Sequence, residues 1–245
     1  MSTAPRAAEQ RPARTAAMWS ALDPVLHAGP PLRVLDVGGG SGTIAVPLAQ
    51  AGHDLTVVDP SADALATLRR RAETAGVAER VRGVQGDGDL LHEVLRGDDA
   101  GYDLALCHSV LEVVDDPGTT LRQIAGALRP GGMVSVATVN RAGAVLARAL
   151  GGHPHEALDL LRDREPAPVA GRPARRRFDP AELLDFVESA GLRAGSWRGL
   201  AVVVDLLDAA TGADEAAVRD LEVALAGVSP YRDVATGLHV LATRP

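Results

Sequence analysis

An α/β fold with a doubly wound, mostly parallel sheet is predicted by three features of the sequence. Short apolar stretches bounded by turns alternate with stretches of helical spacing, and no tandem repeat interrupts them. The first such stretch, residues 33–37, runs into Gly38, Gly39, Gly40 and Gly42, and helical spacing resumes at 43–49. Small or acidic residues stand at the ends of successive strands: Gly38, Asp59, Asp87 and the pair Cys107–His108. Parallel sheets bind ligands at that carboxyl edge, near the switch in strand order. A glycine turn with free N–H groups suits a polar or anionic ligand, and the missing Cβ atoms let it approach the backbone. A turn that merely lets strand and helix pack is the plainer reading, but Asp36 and Asp59 favour a nucleoside site.

At 245 residues the chain is long enough for one full α/β core, and residues 12–245 read as a single domain after a disordered tail at 1–11. Hydrophobic content of 46% and charge of 23% are those of a globular protein. The net charge of −7 gives no global attraction to nucleic acid, so any polyanion contact must be local. All 25 basic residues are arginine, which excludes a lysine Schiff base and a P-loop lysine. Cys107 is the single cysteine, so no internal disulfide or cysteine-rich zinc site is expected, and a reducing cytoplasm fits. No secretory leader, membrane span or metal site is read in the sequence.

The elements follow in order. Residues 13–28 predict a helix with Met18, Leu22 and Leu26 on one face and Asp23–Pro24 as a cap and restart. Arg14, one turn before Met18, is either a solvated helix end or a group over the ligand edge. The second strand, 54–58, ends at Asp59–Pro60. A carboxylate about 20 residues after a glycine turn is placed for both ribose hydroxyls; its other reading is a helix cap, which Ser61 can supply instead. Helix 62–75 and strand 80–85 lead to Gly86-Asp87-Gly88, where Asp87 either accepts from an adenine amino group or simply forms a turn. Strand 102–107 runs into His108. Helix 118–128 stops at Arg129-Pro130-Gly131-Gly132, and strand 133–139 follows. Residues 140–178 break the rhythm with helical pieces at 144–150 and 155–164, and read as a cap over the site. Arg172, Arg175, Arg176 and Arg177 close it, as a solvated face or an anion contact. Helix 180–190, one or two strands in 192–207, helix 214–226 and strand 237–243 complete the chain.

Asp36-x-Gly38-x-Gly40-x-Gly42 resembles the first motif of the class I S-adenosylmethionine (SAM) methyltransferases, although Gly40-x-Gly42-x-x-Ala45 with Asp59 also fits a looser dinucleotide fingerprint. His108-Ser-Val-Leu-Glu112, Asp116-Pro117 and Leu128-Arg-Pro-Gly-Gly132 look like the post-strand motifs of the same methyltransferases. Four stretches narrow the likeness. They are Arg14-Thr-Ala-Ala-Met-Trp19 with Leu22-Asp23-x-Val25-Leu26, Leu35-Asp36-x-Gly-Gly-Gly40, Val139-Asn140-Arg-Ala-Gly143, and Pro230-Tyr231 with Gly237-Leu-His239-Val240. Together they resemble the tRNA 5-carboxymethoxyuridine methyltransferases, which esterify a wobble-uridine carboxylate. The resemblance implies a Rossmann-like, seven-stranded sheet with a helical cap insertion, and SAM as cofactor. It implies that Arg14 holds the methionine carboxylate. Asp36, Gly38, Gly39, Gly40, Gly42, Asp59, Pro60, Asp87, Gly88, Cys107 and His108 are expected around the cofactor. Asn140, Arg141, Arg175, Arg176, Arg177 and Tyr231 are expected toward the substrate. The family is lysine-rich where this chain has Arg172 to Arg177 and carries an aromatic residue where Val139 stands.

Methyl transfer relies on positioning in a dry pocket. A phenol, amine or alcohol acceptor often needs a base, whereas a carboxylate is ionised at neutral pH. No base dyad is evident. His108 is the candidate at the cofactor edge, with a supporting role as its alternative; His153 and His155 lie in the cap. The competing functions are methylation of modified tRNA, O- or N-methylation of a small metabolite, a catalytically silent SAM-fold binding module, and a nicotinamide dehydrogenase. Aromatic content of 2% leaves Tyr231, Trp19, Trp197 and few others to stack a base.

Overall fold

The computed structural model describes residues 11–96, 101–162, 175–207 and 212–245. The expected tail therefore lies outside the described residues except for Arg11, which pairs with Asp23 at 2.7 Å and stacks on Trp19. Arg172 also lies outside them.

The strands are β1 (Arg33–Val37), β2 (Asp54–Asp59), β3 (Val81–Gln85), β4 (Tyr102–His108), β5 (Leu128–Val139), β6 (Arg193–Ala194), β7 (Arg198–Leu200) and β8 (Gly237–Thr243). Their order in one sheet is β3-β2-β1-β4-β5-β8-β6, with β7 also on β8. β1 pairs in parallel with β2 and β4, and β2 with β3, while β6 and β7 run antiparallel to β8. The strand count is eight where seven are expected, and the register explains why. Ala194 faces Ala242 and Arg198 faces His239, so four steps along one strand match three along β8. That extra residue is a β-bulge, which splits one edge strand into two short ones. Gly195 still keeps the β6 register, its N–H bonding the Leu241 carbonyl at 3.0 Å, so the extra residue falls at 196–197.

The helices are α1 (Ala16–Leu26), α2 (Ala45–Gln50), α3 (Ala62–Thr74), α4 (Leu91–Val94), α5 (Pro117–Ala127), α6 (Arg141–Leu150), α7 (Pro154–Arg162), α8 (Pro180–Ser189) and α9 (Glu215–Leu225). Ser61 caps α3, accepting from Ala64 N at 3.2 Å, and Asp116 caps α5 ahead of Pro117. Two expectations are corrected. α1 runs straight through Pro24 rather than restarting there. Proline removes the bond to the carbonyl four residues back, and that residue, Ser20, is exposed to water. β5 begins at Leu128, not at 133, because Gly131 N bonds Arg244 O at 2.9 Å and Arg244 N bonds Gly132 O at 2.8 Å.

Residue contacts divide the chain into two compact units. The glycine-loop unit comprises Leu26–Val136, Ala181–Gly195 and Val240–Pro245. Its core is Val34, Leu35, Val57, Leu104, Leu106, Leu121, Ile124, Val134 and Val136, all buried. The arginine unit comprises Met1–Val25, Ala137–Pro180 and Ser196–His239, and so contains the whole excursion 140–178. Met18, Leu22, Phe178, Val202 and Leu238 are buried in it. Among the described residues no helix is long and apolar enough to cross a membrane.

Candidate functional site

In the glycine-loop unit, β1 lies between β2 and β4, with Val37 facing Val58 on one side and Cys107 on the other. Gly38 therefore starts the loop between the two flanking strand ends, and its N–H bonds the Val58 carbonyl at 2.7 Å. Gly40 takes φ +54°, a left-handed conformation that favours glycine. Its N–H donates to Asp59 Oδ2 at 2.9 Å, while Asp59 Oδ1 accepts from Ser61 N at 2.9 Å. Ser61 supplies the helix cap, as expected, and Asp59 braces the loop. A Cβ at Gly39 would overlap the Asp36 carboxylate and lie 2.9 Å from Val57 Cγ1. Asp36 is 3% exposed, and burial first, then the Asp59 charge, pushes its pKa up to about 7.

The remaining strand ends are less uniform. Pro60 is exposed, and its carbonyl accepts from Gln85 Nε2 at 3.1 Å. Asp87 is exposed and caps the short 3₁₀ turn Gly88–Leu90 through Asp89 N. Gly88 is buried, and a Cβ there would lie 3.1 Å from Val37 Cγ1. The Cys107 thiol is fully buried, and burial, then Glu112 and Asp36, raise its pKa out of reach, which leaves the residue only its backbone to offer. His108 Nε2 lies 2.8 Å from Ser135 Oγ, and its Nδ1 is buried with no hydrogen-bond partner among the described residues. Burial pushes its pKa down to about 4, so the ring is neutral at pH 7. Ser109 follows at φ +58°, a left-handed conformation uncommon for a non-glycine residue. The sequence reading did not name Arg71. Its Nη1 bonds Ser41 O at 3.3 Å, Ser41 Oγ at 3.2 Å and Thr43 Oγ1 at 3.2 Å, tying the outer loop to α3.

A nucleoside-bearing cofactor fits this arrangement. Asp59 keeps acceptor lone pairs beyond its two backbone bonds, and His108 Nδ1 is an orphaned polar atom. Among the described residues no cluster of histidine, cysteine or carboxylate side chains could hold a metal ion.

In the arginine unit several of the expected site residues have partners within the unit. Arg14, in a 3₁₀ turn at Ala13–Thr15, pairs with Asp205 at 2.5 Å, and Asp205 also accepts from Thr236 Oγ1 at 2.6 Å. Asn140 is fully buried, and its amide donates to Asp233 O at 3.0 Å and Ala235 O at 2.7 Å. Its Oδ1 accepts from Ala142 N at 3.2 Å and caps α6. Both amide hydrogens are thus committed, and Asn140 braces the start of α6 against 233–235. Arg141 is likewise buried, with Nε 3.2 Å from Asp179 and Nη2 donating to Arg177 O at 2.8 Å. Arg175 is exposed, and Arg176 and Arg177 are half-buried. Trp19 and Trp197 are each covered by a guanidinium, from Arg11 and Arg232, both 4.3 Å from the ring centroid. Tyr231 remains 50% exposed. His153 and His155 are exposed. A further brace, Glu222, escaped the sequence reading: it is fully buried and accepts from Val202, Val203 and Val204 N, each at 2.8 Å.

Residues 35–134 match a family described as a methyltransferase domain. The chain is 30% identical to the tRNA 5-carboxymethoxyuridine methyltransferase of Escherichia coli (strain K12), over 95% of this chain and 88% of that protein. It is 33% identical to the ubiquinone biosynthesis O-methyltransferase of Bordetella avium, over 69% of this chain and 65% of that protein. Among solved structures it is similar to an S-adenosylmethionine-dependent methyltransferase from Mesorhizobium loti. The TM-score is 0.63 at 22% identity, covering 95% of this chain and all of that one.

Proposed function

The chain belongs to the class I SAM-dependent methyltransferases, and from that premise we propose that its methyl acceptor is the carboxylate of a modified wobble uridine in tRNA. The observation that carries this reading is the extent of the tRNA-enzyme similarity, 95% of this chain against 69% for the ubiquinone enzyme. The longer match takes in most of the arginine unit as well as the glycine-loop unit.

SAM, when bound, supplies a methyl group already activated by a sulfonium. We assign its nucleoside to the glycine-loop unit. There the loop at Gly38, Gly39, Gly40 and Gly42 offers backbone, Asp59 offers acceptors to the ribose, and Asp87 with Gly88 borders the base. Arg175, Arg176, Arg177 and Tyr231 are assigned to the substrate side, with Asn140 and Arg141 as their support. A carboxylate acceptor is ionised at neutral pH and needs no base. His108, with its pKa near 4, is a weak base, which agrees with such an acceptor. Methylation of a small metabolite is the second reading, favoured by the 33% identity to the ubiquinone enzyme. Mass spectrometry of tRNA nucleosides from a deletion strain separates the two. Loss of the uridine methyl ester, restored by the purified protein with SAM, is expected; an unchanged nucleoside profile removes the tRNA reading.

A further inference from the structure

Arg141 and Arg148 stand seven residues apart on α6, two turns, so their side chains leave the same face roughly 10 Å apart along the axis. The chain at 175–179 is stitched along the start of that helix. Phe178 N donates to Val139 O at 3.0 Å, Arg141 N donates to Phe178 O at 3.0 Å, and Arg141 Nη2 holds the Arg177 carbonyl. Arginines from two distant stretches of sequence are therefore placed along one helix of the arginine unit. Their compensation is unequal. Arg141 has Asp179, and Arg148 has Glu156 at 3.1 Å on the exposed side. Arg177 donates only to its neighbour's carbonyl, Arg175 O, at 3.3 Å, and meets no carboxylate among the described residues. Burial, then the charge of Arg148, then that of Arg141, holds its pKa below the ordinary guanidinium value. A half-buried cation beside like charges costs free energy that an arriving anion offsets.

We propose that Arg148 and Arg177, supported by Arg141, form a receptor for one phosphate group in the sugar-phosphate backbone of an RNA. The proposal rests on the tRNA reading for the source of the phosphate. The planar guanidinium fork matches a phosphate, and a phosphate taken by two such forks has a fixed place. In a chain of net charge −7 such a contact must be local, and this cluster is local. Glu156, already paired with Arg148, is the internal anion that the phosphate displaces.

Binding of the full chain to an unmodified tRNA transcript, followed by fluorescence anisotropy across a salt series, tests this. Arg148→Gln with Arg177→Gln is expected to weaken binding about tenfold at low salt and to lower the salt slope by about 1, the release expected for one phosphate. Either single variant falls between this and the wild type. A loss of about 2 in the double variant overturns the shared phosphate, and an unchanged slope overturns the receptor. Glu156→Gln removes the competitor and is expected to tighten binding, a gain that misfolding cannot imitate; no gain overturns Glu156's part. SAM affinity by calorimetry is expected to match the wild type in all variants. The readout is binding, so its failure is separable from that of the acceptor reading. A slope change without tRNA methylation keeps the receptor and loses the acceptor; tRNA methylation with an unchanged slope does the reverse.

Discussion

The two units hold charge in opposite ways. In the glycine-loop unit two carboxylates, Asp36 and Asp59, sit at neighbouring strand ends, and Asp59 is held by backbone N–H groups of Gly40 and Ser61. In the arginine unit guanidinium groups come from α6 and from 175–177; backbone carbonyls of Arg175 and Arg177 accept from them, but the anions that balance their charge, Asp179 and Glu156, are side chains. Backbone donors are fixed once the strand and loop form, so the acidic site is built by the fold itself. Side-chain partners can exchange, so the basic site can release its internal anions to a ligand. The first arrangement suits a cofactor of constant shape, and the second suits a polymer recognised largely by charge.

The comparison predicts that removing a brace acts differently in the two units. Asn140→Ala leaves the carbonyls of Asp233 and Ala235 without their donor and removes the cap of α6. A lost cap costs about 1 kcal/mol, and each buried carbonyl left unpaired adds about 1 kcal/mol or more. A loss of about 3 kcal/mol in urea unfolding is therefore expected, with SAM affinity retained in the folded protein. A parallel fall in SAM affinity would break the comparison, because the brace would then serve both sites.

Asp59→Ala is the matching change in the other unit, with a somewhat smaller effect. It removes the acceptor for Gly40 N and Ser61 N, and with it the carboxylate assigned to the ribose. SAM binding measured by calorimetry should weaken by about 2 kcal/mol, close to thirtyfold. Unchanged affinity in a folded variant would sink the ribose assignment and leave Asp59 as a brace like Asn140.

The same contrast decides what could be read in the sequence. β1 and β8 occupy the stretches that apolar spacing predicts, because a buried strand writes its own pattern. Ser61 is legible as a cap because a cap and its helix are adjacent in sequence. The start of β5 was not, since its first bonds go to Arg244, more than 100 residues away. Arg71 and Glu222 carry no local signal either, as their partners lie on other elements. Asn140 and Arg141 read in the sequence as substrate-side residues, with nothing local to show what they bond. Only their partners at 177–179 and 233–235 reveal that their donors are already engaged.

The smallest expected effect separates the units by pH, because arginines do not titrate near neutrality and the acidic site does. Asp36 has a folded pKa of about 7 against an ordinary 3.8. Between those values the folded chain keeps a proton that the unfolded chain has released, so Asp36's contribution to stability falls as pH rises through that window. His108 runs the other way, with a folded value of about 4 against 6.5. There the unfolded chain holds the extra proton, and stability is lost as pH falls from 6.5 toward 4. The two slopes oppose each other over their shared window, so the wild type should change little there. Above pH 6.5 only Asp36 remains, and a drift of under about 1 kcal/mol is expected, at 1.36 kcal/mol per pKa unit. Asp36→Asn removes one slope and exposes the other. Its urea midpoint should climb from pH 4.5 to 6.5 and then stay level, while the wild-type midpoint declines between pH 6.5 and 7.5. Superimposable profiles for the two proteins would mean that Asp36 is already ionised in the folded chain.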